Sequence, residues 1–187
     1  MSEHTERSIL DRLAIRYGVT YKNGAYVGRR YARAEHVHIT TGFATKGKHR
    51  IADFIAIDAN AAPHDALTAA ERNLDPSVRA EARQGAIHGH EVKVSRADWL
   101  SELANPEKAE AWRRYCTYWW LVAPREVVHD DLPDGWGLMI PHGRSLRVVV
   151  GASRRVPDPM PVRTVAALAR AIGKTEAGAS WLGGGQT

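Results

Sequence analysis

The sequence predicts an α/β fold, a mixed β-sheet core flanked by helices. Three observations carry this. First, Arg50-Ile51-Ala52-Asp53-Phe54-Ile55-Ala56-Ile57 is apolar at nearly every position from Ile51 onward. That is the pattern of a central strand covered on both faces. Second, His88-Gly89-His90-Glu91-Val92-Lys93-Val94-Ser95 and Tyr118-Trp119-Trp120-Leu121-Val122 are β-branched or aromatic runs bounded by loop-like sequence. Third, a helical stretch separates those two runs, whereas later strands follow through short links. A helical crossover between parallel strands, followed by hairpins, makes the sheet mixed.

Taken in order, Thr5 to Tyr17 reads as a helix. Ile9, Leu10, Leu13 and Tyr17 share one face, and Gly18 sits where a C-terminal cap belongs. Glu6 lies three residues before Ile9 and shares that inward face. An acid in the first turn also suits the helix dipole. Asn23-Gly24 between Val19-Thr20-Tyr21-Lys22 and Ala25-Tyr26-Val27 is a hairpin signal. Gly28 to Ile39 reads as a strand with a basic start. Within it, His36 and His38 share a face, as His88 and His90 do later. Zinc would need a third or fourth ligand that the pattern does not supply, so these histidines read as packing or polar surface.

Thr41 to Arg50 is a glycine-punctuated basic loop running into the Asp53 strand. Lys46, Lys48 and Arg50, joined by Arg29, Arg30 and Arg33, are candidates to neutralise phosphates; a solvated charged loop is the plain alternative. Residues 58 to 87 form an insertion between two sheet strands. Its alanine-rich part is broken at Asp75-Pro76, and it reads as a surface excursion, a flap or a partner surface.

Ser95 with Asp98 resembles a capping box, which opens a helix over 96 to 104. Asn105 as N-cap with Pro106 at the first position starts a second helix over 106 to 116. Trp99, Leu100, Leu103, Trp112 and Cys116 are expected to pack inward. Trp119 and Trp120 face opposite sides of their strand and serve the core. Strands follow at the end of Leu132 to Ile140 and over Ser145 to Val150, paired through His142-Gly143-Arg144. Ala152 to Val162 reads as a linker, and Thr164 to Ile172 as a short helix ended by Gly173. Residues 1 to 173 make one domain, and 174 to 187 a flexible C-terminal tail.

The chemistry concentrates in two runs. A lone carboxylate in an apolar strand, as Asp53 is, is costly unless paired, hydrogen-bonded or bound to metal. Side chains alternate on a strand, so Glu91 and Lys93 point one way and Val92 and Val94 the other. Two carboxylates can hold a hard divalent cation, with backbone carbonyl and water completing the shell. Such a cation polarises a phosphodiester and lowers the pKa of bound water. A lysine beside it stabilises the developing charge.

Asp53 followed by Glu91-x-Lys93 resembles the active site of the PD-(D/E)xK nuclease superfamily. The run His90-Glu91-Val92-Lys93-Val94-Ser95-Arg96-Ala97-Asp98-Trp99-Leu100 carries a narrower likeness. With Pro106-Glu107-Lys108-Ala109, Tyr118 to Val122 and Leu132-Pro133 with Gly135-Trp136-Gly137-Leu138, it resembles the MmcB-like DNA-repair branch, common in actinobacteria and their phages. The likeness covers roughly residues 45 to 150. One departure is Ala52 before the aspartate, where the motif carries a variable proline.

The resemblance implies a restriction-endonuclease-like core and a metal-dependent DNA phosphodiesterase of repair or processing. It implies Mg²⁺ or Mn²⁺ on Asp53, Glu91 and the Val92 carbonyl. Lys93 is the charge stabiliser, and Glu6 the extra carboxylate of the first helix, with Glu35 as its substitute. His90 falls near the metal. Arg96, and more weakly Lys108, are candidates to reach a phosphate or the carboxylates. Two rivals stand beside this reading. One is a nuclease-like module that binds DNA without cutting. The other is an interaction protein in which Asp53, Glu91 and Lys93 form only a buried ion-pair network.

Bulk composition sets the outer limits. The chain has 187 residues, 44% hydrophobic and 25% charged, enough for one domain with one sizeable core. A net charge of +5 and a pI near 9.6 favour an anionic partner, for which DNA qualifies. The single cysteine, Cys116, excludes disulfide frameworks and multi-cysteine zinc sites within the monomer and fits a reducing cytoplasmic setting. Apolar runs are too short to span a membrane. The N-terminus carries Glu3 and Glu6 rather than an apolar signal region. Cutting both strands of a duplex is easiest for a homodimer, although no interface signal stands out. Repair or phage proteins are the protein partners the likeness implies.

Overall fold

A computed structural model describes residues 4–22, 25–29, 31–41, 48–58 and 85–183. Among the described residues, six strands form one mixed sheet in the order β3-β4-β5-β6-β7-β8. They are β3 (Tyr31–Thr41), β4 (Lys48–Asp58), β5 (Ile87–Val92), β6 (Tyr118–Val122), β7 (Gly137–His142) and β8 (Ser145–Val150). β5, β6 and β7 run parallel, and the other neighbours are antiparallel. A separate hairpin pairs β1 (Val19–Lys22) with β2 (Ala25–Arg29), and Lys22 opposite Ala25 brackets Asn23-Gly24 as expected. The architecture agrees with the restriction-endonuclease-like α/β class.

Helices cover both faces. α1 (Glu6–Arg16) packs on one face, where Ile9, Leu10, Leu13 and Tyr17 meet Phe54, Val92 and Trp120. α2 (Arg96–Leu103), α3 (Glu107–Arg113) and α4 (Val162–Gly183) cover the other, where Trp99, Trp112 and Leu168 meet Ile55, Trp119 and Leu121. Trp119 and Trp120 therefore serve opposite layers, as strand alternation requires. The helix pair α2 and α3 is the crossover that lets β5 and β6 run parallel. On β5 itself, Gly89 leaves room for the Trp119 ring of β6 and for Cys116. A Cβ there would overlap the Trp119 ring and stand 2.7 Å from Cys116 Sγ. Gly89→Ala is expected to cost about 1–3 kcal/mol by overpacking. Urea unfolding that left the midpoint unmoved would contradict this.

Several element boundaries differ from the sequence expectation. The strand expected over Gly28 to Ile39 is two strands, β2 and β3. The Asp53 strand begins at Lys48 instead of emerging from a loop at Arg50. Its apolar face is not covered throughout, because Ile51 is 46% exposed. Ser95 caps α2 by accepting the Asp98 N–H at 3.2 Å, as expected. Asn105, however, does not cap α3. Its side-chain amide donates back to the Ser101 carbonyl at 2.8 Å, and Pro106 takes the N-cap position. Leu100 is 49% exposed, and Glu102 takes the buried place beside Trp99. The reason is geometric: Trp99 and Glu102 are three apart on a helix and share a face, whereas adjacent residues do not.

The C-terminal helix also differs. α4 runs through Gly173 to Gly183, so residues 174 to 183 are helix rather than tail. An interior glycine costs about 1 kcal/mol. Contacts with β3 offset it: Thr175 Oγ1 accepts the Glu35 N–H at 3.0 Å, and Glu176 pairs with Arg33 at 3.2 Å. Val165, spaced to share a helix face with Leu168 and Ile172, is half exposed, whereas Leu168 is buried. The stretch expected as a linker is tied down by Arg155 N–H to the Thr117 carbonyl and by an Arg114–Asp158 ion pair. Among the described residues, no helix is long and apolar enough to cross a membrane. The expected insertion lies, for residues 59–84, outside the described residues, as do Arg30 and Lys46.

Candidate metal and phosphodiester site

The antiparallel ladder between β4 and β5 ends at Phe54 opposite His90. The next pairing is made by a side chain. Asp53 Oδ2 accepts the Val92 N–H at 2.8 Å. β5 thus ends against a carboxylate in the middle of β4, and a cleft of about 290 Å³ opens there. Its lining includes Glu6, Asp53, Val92, Lys93, Glu102 and Lys108.

Lys93 occupies the centre. Its Nζ lies 2.5 Å from Glu91 Oε1 and 3.4 Å from Glu102 Oε2. Glu91 and Lys93 are two apart on an extended chain and share a side, as alternation predicts. Glu91 is 8% exposed and Glu102 7%. Two carboxylates thus pair with one ammonium, and a third, Asp53, acts on it through its charge. The electrostatics follow from that arrangement. Burial raises the Asp53 carboxyl above its ordinary value; the Val92 N–H and Lys93 oppose this, and Glu6 adds to it. Burial, then the Asp53 charge, pushes Glu91 up to about 8 against the pull of Lys93. Burial lowers Lys93, but the Glu91 charge and hydrogen bond outweigh it, so Lys93 is held above its ordinary value. The lysine is a fixed cation at neutral pH, which suits charge stabilisation and not general-base work.

Glu6, at the start of α1, reaches the same cleft and remains exposed. Between Glu35↔Phe54 and Val37↔Ala52, the β3–β4 register places His36 beside Asp53. His36 adopts a φ of 48°, uncommon for a side chain other than glycine. Its Nδ1 stands 3.9 Å from Glu6 Oε1. Ligand atoms of Glu6, His36 and Asp53 all lie within 4.8 Å of one another. These oxygen and imidazole donors suit a divalent cation, oxygens favouring Mg²⁺ or Mn²⁺ and the imidazole favouring Mn²⁺ or a later metal. Glu91 stands differently, with Oε1 taken by Lys93. A cation shared by Asp53 and Glu91 therefore competes with that ion pair. Val92 lines the cleft, and its amide is committed to Asp53.

Other candidates are placed elsewhere. Glu35 does not substitute for Glu6, because Arg7 binds it with two N–H groups at 2.7 and 3.0 Å. His90 is fully buried on the α1 side, within 3.0 Å of Tyr17 Oη and 3.3 Å of the Phe54 carbonyl, and is a core residue. Arg50 lies 3.8 Å from Glu107 and does not line the cleft. The side chains of Arg29 and Lys48 lie outside the description. Arg96 turns away, to Asp131 at 2.5 Å and the Val127 carbonyl at 3.1 Å, while Lys108 lines the cleft in its stead.

The Arg96–Asp131 pair secures the loop after β6. The Arg96 hydrogen bond, then that of Trp99 Nε1, holds the Asp131 carboxyl down at about 2, below its ordinary 3.8. A depressed folded pKa means stability present above about 4 and lost as pH falls through about 2. The melting deficit of Asp131→Asn relative to wild type should therefore be full at pH 6 and vanish near pH 2. A deficit constant across that range would contradict the assignment.

Sequence reasoning missed Glu102 and set His36 aside. The signal for Glu102 was its place three residues after Trp99. For His36 it was a long β-hairpin register that pattern alone does not fix.

No family model and no curated protein matches the chain. Among solved structures, a protein of unknown function from Silicibacter pomeroyi is similar, with a TM-score of 0.46 and 17% identity over 79% of this chain and 75% of that one.

Proposed function

We propose that the protein is a metal-dependent DNA phosphodiesterase, a nuclease of repair or processing. The observation that supports it most is Lys93, paired with Glu91 and Glu102, in one cleft with Asp53 at the end of β5, with ligand atoms of Glu6 and His36 within 4.8 Å of those of Asp53. Burial and mutual repulsion raise the Asp53 and Glu91 carboxyls, and a divalent cation would relieve that crowding and favour their charged forms. Asp53, Glu6 and His36 would hold the cation, and Glu91 would join when Lys93 releases it. Bound there, the cation would supply Lewis-acid polarisation of a phosphodiester and a more acidic water. Lys93 would then turn its charge to the phosphorane oxygen, as a pre-positioned cation does at a site partly closed to water. Lys108 offers a second cation at the same rim.

One observation favours a rival. Lys93 bridging Glu91 and Glu102 is also what a structural ion-pair network looks like. The two readings part in one experiment. A labelled DNA panel of duplex, single strand, mismatch, flap and junction is incubated with Mg²⁺ or Mn²⁺, wild type beside Asp53→Asn. Cleavage by the wild type alone is the expected result. Absence of cleavage on every substrate with both metals would sink the nuclease reading.

A further inference from the structure

A larger concavity of about 800 Å³ lies between α1, β3 and α4. Its floor is small and apolar, with Ala14, Ala167 and Ala171, so a chain can lie close to the backbone. Its carboxylates are already matched by cations. Arg7 binds Glu35 and, at 2.9 Å, Asp11, while Arg33 is taken by Glu176. Two further cations on the wall are different. Arg170 and Lys174 are exposed on α4 and have no carboxylate partner among the described residues. They stand four residues apart on one helical face, about 6 Å along the axis, a row suited to successive phosphates. His36 and His38 add imidazoles along β3.

His36 also belongs to the group with Glu6 and Asp53, so the groove and the cleft meet at that residue. We propose that the groove is the track by which a nucleic-acid strand reaches the cleft, with Arg170 and Lys174 binding its phosphates. The inference rests on the phosphodiesterase reading for what happens at the end of the track, and on the groove's own charge for the binding. Cations whose charge no neighbour cancels are the ones that release counterions when a polyanion docks. Contacts of this kind position a strand without reading its bases.

The test is anisotropy of fluorescein-labelled single-stranded and duplex oligonucleotides in EDTA across a salt series. Wild type is compared with the double variant Arg170→Gln, Lys174→Gln and with the charge-keeping Arg170→Lys, Lys174→Arg. Both positions are exposed, so an unchanged melting temperature is expected and checks the fold. The glutamine pair should bind about tenfold more weakly, and its slope of log K against log salt should shrink by about 1.4–1.8 for two lost contacts. The charge-keeping pair should stay near wild type. Affinity within twofold of wild type and an unchanged slope for the glutamine pair would overturn the track, as would a wild type that binds neither oligonucleotide. Groove-dependent binding with no cleavage under any metal would leave the track standing and remove the nuclease reading. Cleavage with groove-independent binding would do the reverse.

Discussion

Asp53→Asn is expected to abolish metal-dependent cleavage while leaving the metal-free protein slightly more stable. Asparagine keeps an oxygen to accept the Val92 N–H, now bonded at 2.8 Å, so the buried amide is not orphaned. Alanine would orphan it and confuse the result. What asparagine removes is charge. Burial already disfavours the Asp53 carboxylate, and Glu6 adds repulsion. Glu91 in turn feels the Asp53 charge. Relief of about 1 kcal/mol corresponds to a rise of about 2–4 °C for a chain of this size. Loss of the ligand removes several kcal/mol of transition-state stabilisation. At 1.36 kcal/mol per decade that is about a 10³-fold fall in rate. The Mg²⁺-induced rise in melting temperature should also disappear. A variant that melts lower in EDTA and still gains stability from Mg²⁺ would show that Asp53 is a structural acceptor and not a ligand.

Where pattern dictated structure, the sequence was readable. Ile9, Leu10, Leu13 and Tyr17 recur at helical spacing, and all four are buried. Alternation put Glu91 with Lys93 and split Trp119 from Trp120. What failed depended on tertiary partners. Gly173 read as the end of a short helix, yet α4 continues because Thr175 and Glu176 bind β3. Arg96 looked close to the carboxylates in sequence. One residue's shift around a helix sends it instead to Asp131, which lies 35 positions later and carries no local signal. Glu102 carried a signal for burial, three residues after Trp99, but none for its place beside Lys93, which depends on how α2 folds back on the end of β5. His36 reaches Asp53 through the register of a hairpin whose turn chemistry is not marked in Thr41 to Lys48. Of the cleft residues, Asp53, Lys93 and the helix residues Glu6 and Lys108 were legible, whereas Glu102 and the edge-strand His36 were not.

Lys93→Met is expected to carry a large stability cost. The variant keeps the aliphatic stem and removes the ammonium, which lies 2.5 Å from Glu91 and 3.4 Å from Glu102. Two carboxylates, each under a tenth exposed, are then left with no cation. Stripping one partner from a buried pair costs about 3–5 kcal/mol. That is a melting drop on the order of 10 °C. The loss has a definite pH dependence. Glu91 is held up to about 8 against an ordinary 4.5, so the folded protein binds more protons than the unfolded chain between those values. Stability therefore falls as pH rises from 4.5 through about 8. Without the ammonium that opposes this, the variant must fall further, so its gap from wild type is widest near pH 9 and narrows toward pH 5. Mg²⁺ then separates the two readings of the network. If the cleft holds a cation, Mg²⁺ takes the place of the missing charge and restores several degrees to Lys93→Met, more than it adds to wild type. If the network is only structural, Mg²⁺ restores nothing. Thermal melts at pH 5 and pH 9, each with Mg²⁺ and with EDTA, measure both effects. A pH-independent deficit that Mg²⁺ leaves untouched would remove both the buried-charge account and the metal site.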